Sequence, residues 1–430
     1  DNYGHGLASS SSGTGMFTKN TLTGNKGAGF SASSQANPNV ISNIMYDGEA
    51  EGILIQNAAG FYEYNRVRNN TDPGIAVEFF KANPTIARNE VEGGMKAGIV
   101  FVSEAKGTVV ENFIANNSQG GIVVSFGALP TIQRNMLKQN TQAGIWCKQK
   151  ARPEILTNII VMTNNGHGIV SEDQAVPSIR QNIIGHHSHS GVHFFNGGKG
   201  TCSENLIFSC GEANVCIETQ AAPALVSNEI FDGTTGILVR DGGAGTISGT
   251  AVYGKLLSGI TVRGENSTPT FEGCFIHDMK GVGVTDEGAA HFSGCHIFGC
   301  QVGIECRGGM TFTESQVREC PNGVIAYEGS TSTISHSILT SLGKVGVITY
   351  ADSKIVVDHV KMYRCRIGLQ LEGGGEVTNS DIYWNYENIV IPGGTATVSG
   401  NNVYDADNRG IMIKDGEPTV TNNMVFDNKY

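Results

Sequence analysis

Four histidines crowd one stretch of the sequence, His186, His187, His189 and His193, with Glu172 lying 21 residues before His193 and Glu218 25 residues after it. Imidazole titrates near neutral pH and ligates metals, so general-base or metal chemistry would begin here. His193 and Glu172 are the candidate catalytic residues. Either chemistry needs two such groups to converge, and the spacing does not force them together. His187 falls at an inward turn position, where a hydrogen-bonded structural role competes with a functional one.

These residues lie in a repeat. From Gly121 to Asn205 the chain reads GIVVSFGALPTIQRNMLKQNTQA, GIWCKQKARPEILTNIIVMTNNGH, GIVSEDQAVPSIRQNIIGHHSHS, GVHFFNGGKGTCSEN. Each copy opens on Gly-(β-branched)-x-apolar, turns, and places an Asn two residues before an aliphatic. The anchors Gly121, Gly144, Gly168 and Gly191 are 23, 24 and 23 residues apart. Self-similarity at this period marks a solenoid whose repeats bury their apolar faces on one another. Short runs of alternating polarity between Gly, Pro and Asn predict strands, and no segment holds a helical period. The expected fold is all-β: a right-handed parallel β-helix of 18–19 coils.

The anchors run from Gly6 to Gly410, including Gly281, with Asn214 and Asn388 in place of Gly. Because Asn tolerates a positive φ, these exceptions predict a left-handed corner at the anchor. Asn43, Asn65, Asn89, Asn112, Asn135, Asn158, Asn182, Asn205 and Asn228 predict a structural ladder of amides from coil to coil. Beyond it come Thr250, Cys274, Cys295, Ser315, Ser337, Asp358 and Ser380. One continuous β-helix over 1–430 is expected, Asn-laddered over 1–245 and Ser/Thr/Cys-laddered over 246–430. Asp1–Leu7 and Val425–Asn428 both fall in mid-repeat without a polar cap, which reads as a piece of a longer chain.

The register also sorts the outer surface. Four residues after the anchors stand Gln56, Glu78, Lys148, Glu172, Phe195, Glu218 and Arg240, so no two neighbouring coils pair carboxylates there. A Ca²⁺-assisted lyase or a glycosidase would want such a gathering. Arg88, Glu111, Arg134, Gln181 and Glu204, just before the ladder Asn, predict cross-coil pairs. The middle residue of each anchor strand should face solvent, and it reads Leu54, Val100, Val123, Trp146, Val170, His193 and Leu238, with Phe195 beside it. A row this apolar predicts an exposed partner-binding stripe centred on Trp146.

The net charge of −11 over 430 residues argues against a nucleic-acid partner. Apolar runs fall short of the roughly 18 residues of a membrane span. The ten Cys show no C-x₂-C pair, so zinc and other cofactors are not expected. Their inward positions suggest free thiols and an intracellular, cytoplasmic setting.

Segments such as GIVVSFGALPTIQRN, GVHFFNGGKGTCSENLIF and GILVRDGGAGTIS resemble the repeats of the CASH or PbH1 right-handed β-helix family, closest to the β-helix of eukaryotic F-box substrate receptors. The resemblance implies the fold over the whole chain and two kinds of role. One is carbohydrate-active: lyases, hydrolases and epimerases of uronate polymers. The other is intracellular recognition and scaffolding. Gly166-His167-Gly168 resembles a polygalacturonase tripeptide, but the accompanying Asp-rich motifs are missing. No F-box is visible, so the ubiquitin connection is not carried over. The expectation is a non-enzymatic recognition or assembly scaffold for a protein partner or large assembly, with a carbohydrate-active β-helix on an acidic polysaccharide as the alternative.

Overall fold

The computed structural model describes residues 4–430; Asp1–Tyr3, part of the mid-repeat start, lie outside the described residues. The chain divides into two compact units. Asp1–Cys216 with Gln220–Ala224 form the first, and Ile217–Thr219 with Leu225–Tyr430 the second. Every element among the described residues is a short strand, and no helix occurs.

In the first unit each coil carries three strands, one for each of three parallel sheets. One coil comprises Ala143–Cys147, Glu154–Leu156 and Ile159–Val161. The next coil pairs in register: Ile145 with Ile169, Ile155 with Ile179, and Ile160 with Ile184. All six isoleucines are fully buried, so each sheet sends one aliphatic per coil into a common interior. Such burial stabilises by about 2 kcal/mol per side chain.

The ladder asparagines lie in the corner between the second and third sheets. Asn135 Nδ2 donates to Asn158 Oδ1 at 3.0 Å and to the carbonyl of Val109 at 2.9 Å. Its own Oδ1 accepts from the backbone N–H of Asn112 at 2.9 Å and from Asn112 Nδ2 at 3.0 Å. The same arrangement links Asn43, Asn65, Asn89, Asn112, Asn135, Asn158 and Asn182. Each amide thus satisfies backbone groups that the corner removes from the sheets.

The left-handed residues are not the anchors. Positive φ falls one residue before the ladder, at Arg88, Glu111, Arg134 and Gln181 among others, while Gly144, Gly168, Asn214 and Asn388 are not in that region. The anchors are glycine for lack of room. A Cβ on Gly144 would sit 2.3 Å from Ile160 Cγ2 and 2.6 Å from the carbonyl of Gly168. Asn214 succeeds at this position because its side chain is used locally, its Oδ1 accepting from the N–H of Cys210 at 3.1 Å.

The second unit repeats the plan with Val302–Cys306, Thr311–Thr313 and Gln316–Arg318. Phe271, Phe292 and Phe312 stack through its interior, the first two with centroids 4.6 Å apart. Asn228 begins its ladder, its N–H donating to Thr250 Oγ1. Two expectations are corrected here. The anchor following Gly259 is Gly283 rather than Gly281, since Ile260 pairs with Val284. The ladder position following Ser337 is Val360, whose N–H donates to Ser380 Oγ at 3.0 Å; Asp358 ends the preceding strand and faces outward. All ten cysteines are buried and free.

Asp286 breaks the apolar pattern. It occupies an inward strand position between Val262 and Cys306 and is fully buried. Its Oδ1 accepts from the N–H of Ala290 at 3.3 Å, and Oδ2 has no partner. Burial pushes its pKa from 3.8 up to about 6, against the backbone hydrogen bonds from Ala290 and Gly288.

Two stability outcomes follow. Asn135→Ala leaves several buried backbone groups unpaired and should lower the unfolding free energy by about 3 kcal/mol, read from urea denaturation. The folded chain holds the Asp286 proton more tightly than the unfolded chain. The resulting stabilisation is complete below about pH 4 and is lost as pH rises to about 6, a change of about 3 kcal/mol. Asp286→Asn should remove that slope; an unchanged slope would exclude Asp286 as its source.

Candidate functional site

Trp146, Val170 and His193 occupy the same outward position of three successive coils in the first unit. The strands Ala143–Cys147, His167–Ser171 and Val192–Phe194 carry them. Each lies two residues after an anchor glycine, whose missing side chain lets the coils approach closely. A large indole in a row otherwise built of small side chains leaves space beside it. The space is a pocket of about 420 Å³ lined by Gln142, Ala143, Trp146, Asn165, Gly166, His167, Val170, His189, His193 and Phe195.

The rings in this pocket are ordered by one another. His193 lies 4.5 Å from His167 and 4.8 Å from Phe195, centroid to centroid, the latter pair stacked. His189 is 5.3 Å from His167. The backbone N–H of Ser190 donates to His167 Nδ1 at 3.2 Å, which places the proton of neutral His167 on Nε2. Trp146 Nε1 donates to Glu172 Oε1 at 2.6 Å, and Lys148 Nζ sits 4.4 Å from the indole centroid. The indole is therefore fixed from its edge and from one face before any ligand arrives. Burial raises the Glu172 pKa, opposed by the Trp146 hydrogen bond and by the nearby Lys148 and His193.

The expected exposed stripe is corrected by the burial. In the first unit Leu54 and Val123 are each 9% exposed, His193 8% and Val170 4%. Leu238, in the second unit, is 5% exposed. Val100, Trp146 and Phe195 are half-buried. In-register stacking at about 4.8 Å covers each outward side chain with its equivalents above and below, as Leu54 lies between Ser31 and Ala76. The row is largely a floor, and it opens beside Trp146.

His193 and Glu172 are brought to the same neighbourhood through Trp146. Among the described residues lining the pocket there is no carboxylate; Glu172 meets it through Trp146. His187 is buried elsewhere, Nδ1 accepting from the N–H of Thr163 and Nε2 donating to the carbonyl of Ile160. Burial lowers its pKa to about 4, which keeps it neutral. The charge rows pair across coils: Arg88 and Arg134 both meet Glu111, at 2.9 and 3.1 Å, and Gln181 donates to Glu204. Gln56 donates to Glu78 at 2.8 Å.

Sequence reasoning did not place His167 beside His193. The usable signal was register: His167 pairs with Ala143, so a long side chain follows a short one at the rim.

The sequence matches the family described as "Right handed beta helix region" over residues 1–91, 81–201, 168–312 and 302–430. The chain belongs to that family. No curated protein matches it. Among solved structures, this right-handed β-helix is similar to an alginate lyase from Paenibacillus sp. str. FPU-7, at 12% identity and a TM-score of 0.36, covering 56% of this chain and 99% of that one. It is also similar to the PL6 family alginate lyase AlyGC, at 9% identity and a TM-score of 0.26, covering 97% of each chain. At these values the likenesses speak to neither substrate nor site residues.

The Trp146–Glu172 bond gives a direct test. As pH falls, Glu172 should protonate above the ordinary 4.5 because its pKa is raised. The Trp146 indole N–H resonance should shift with that midpoint, and Glu172→Gln should abolish the titration. A midpoint at or below 4.5 would contradict the burial argument.

Proposed function

We propose that this right-handed β-helix is a non-enzymatic recognition module that takes a side chain of a protein partner into the pocket beside Trp146. The observation that carries this reading is an indole fixed by Glu172 and Lys148 at the wall of an apolar-floored, ring-lined pocket. Large, rigid aromatics at the centre of a concave patch supply much of the energy of protein interfaces, because little entropy is lost on binding. The half-buried Val100 and Phe195 extend the contact along the same face. An intracellular substrate-receptor or scaffold role, of the kind the repeat resemblance implies, is one form of this function.

The second reading is binding of an acidic polysaccharide, favoured by the amides of Gln142 and Asn165 at the pocket rim. It is the weaker one, because Lys148 covers one Trp146 face and His193 lies between two rings, leaving little open ring surface for a sugar to stack on.

One experiment separates them. Trp146→Glu should lower partner retention at least tenfold in quantitative co-purification while the thermal midpoint moves little. Equal retention by the variant would refute the protein reading. Binding or cleavage of uronate polymers with Ca²⁺, lost in His193→Ala, would replace it with the other.

A further inference from the structure

The second tryptophan lies in the second unit, at a turn position that takes the left-handed conformation in coil after coil. Trp384 has a φ of 52° and is 55% exposed. The same turn position is occupied by Gly24, Asp47, Asn69, Gly93 and Asn116 in coils of the first unit, all with positive φ. A bulky residue there costs about 1 kcal/mol, a cost that Gln139, Met162, His186 and Arg364 also carry at the same position. What sets Trp384 apart is its exposed indole beside the exposed Tyr386, held edge-to-face against Tyr383 with centroids 5.2 Å apart.

The surroundings define what could bind. Trp384 and Tyr386, the latter 51% exposed, flank the buried Asn385. One coil earlier Arg364 and Arg366 flank the buried Cys365 in the same way, and both are exposed. Backbone bonds fix the alignment: Arg364 N–H donates to the carbonyl of Trp384, and Tyr386 N–H to that of Cys365, both at 3.1 Å. Cys365 N–H donates to Asn385 Oδ1 at 2.8 Å. One coil later the equivalent residues are Asp405 and Asp407. Trp384 Nε1 donates to Asp405 Oδ2 at 3.1 Å, and Lys429 pairs with Asp407 at 3.0 Å.

Among the described residues neither Arg364 nor Arg366 forms an ion pair. Most other arginines do, as Arg409 with Glu387 in this unit and Arg88 with Glu111 in the first show. Two unneutralised guanidinium groups on a chain of net charge −11 stand beside two exposed rings, and carboxylates close the far side. We propose that this corner docks an extended acidic segment of a protein partner. Its carboxylates would meet Arg364 and Arg366, and an apolar or aromatic side chain one to two residues on would lie against Trp384 and Tyr386. Asp405 repels further negative charge beyond the rings, so the segment can lie in one direction only.

The test is fluorescence anisotropy on the whole chain with a labelled peptide bearing two adjacent Glu followed by Leu and Phe. Saturable binding should be weakened about tenfold by Trp384→Ala and at least as much by Arg364→Glu with Arg366→Glu. These substitutions are on exposed side chains, and an unchanged thermal midpoint would show that the fold is kept. A peptide with Lys in place of the two Glu should bind the double Arg→Glu variant better than it binds the native chain. The proposal is overturned if the Gln-substituted peptide binds as well as the Glu peptide. It is also overturned if no saturation is reached by about 1 mM, or if only a phosphorylated peptide binds.

Discussion

A parallel coil of three short strands cannot satisfy its own backbone. Each N–H and C=O must be met by the coil before or after it, and the corners, where sheet pairing stops, are where that accounting would fail. In the first unit the corner is closed by one residue type. An asparagine amide offers two donors and an acceptor from one rigid plane. Asn158 uses them on the carbonyl of Ile132, on Asn182 Oδ1 and on the backbone and side chain of Asn135. Aspartate lacks the donors, and serine lacks the reach. The aliphatic stacks of all three sheets depend on this corner, because it holds the register that turns every second side chain inward.

That register also shapes the outer surface. Stacking identical positions a coil apart buries the outward row nearly as well as the inward one, which is why Val170 and Leu238 are covered although they face away from the core. A surface so tiled offers a partner little until a residue breaks it. Trp146 breaks it by size and leaves a pocket beside it. Trp384 breaks it by projecting from a turn. Both tryptophans of this sequence thus stand where the repeat stops covering itself, and the readings of function rest there.

The period of the sequence made the strands, the inward aliphatics and the amide corner legible, because each is dictated by spacing. Three matters were not. The glycine at each anchor was read as a left-handed residue, whereas Gly144 is required by the closeness of Ile160 and of the following coil's carbonyl; contact across coils leaves no local signal. Exposure of the Leu54–Leu238 row was overestimated because alternation distinguishes in from out but not bare from covered. The 20-residue coils shifted two assignments, Gly283 for Gly281 and Val360 for Asp358, since a shortened loop moves the frame without changing residue type.

The change of ladder in the second unit shows which part of the asparagine's work is indispensable. Ser315 Oγ accepts from the N–H of Cys295 at 2.9 Å and donates to the carbonyl of Thr313 at 2.6 Å. Ser380 does the same between Val360 and Thr378. The thiol of Cys295 reaches back to the carbonyl of Phe271 at 3.5 Å, along the path that an amide nitrogen takes in the first unit. Each serine keeps its backbone partners and gives up the side chain-to-side chain bond. It is the orphaned peptide groups that must be met, and the amide stack is the stronger of two ways to meet them. The weaker way leaves a smaller side chain in the corner, and it is in this unit that large rings, Phe271, Phe292 and Phe312, stack through the interior.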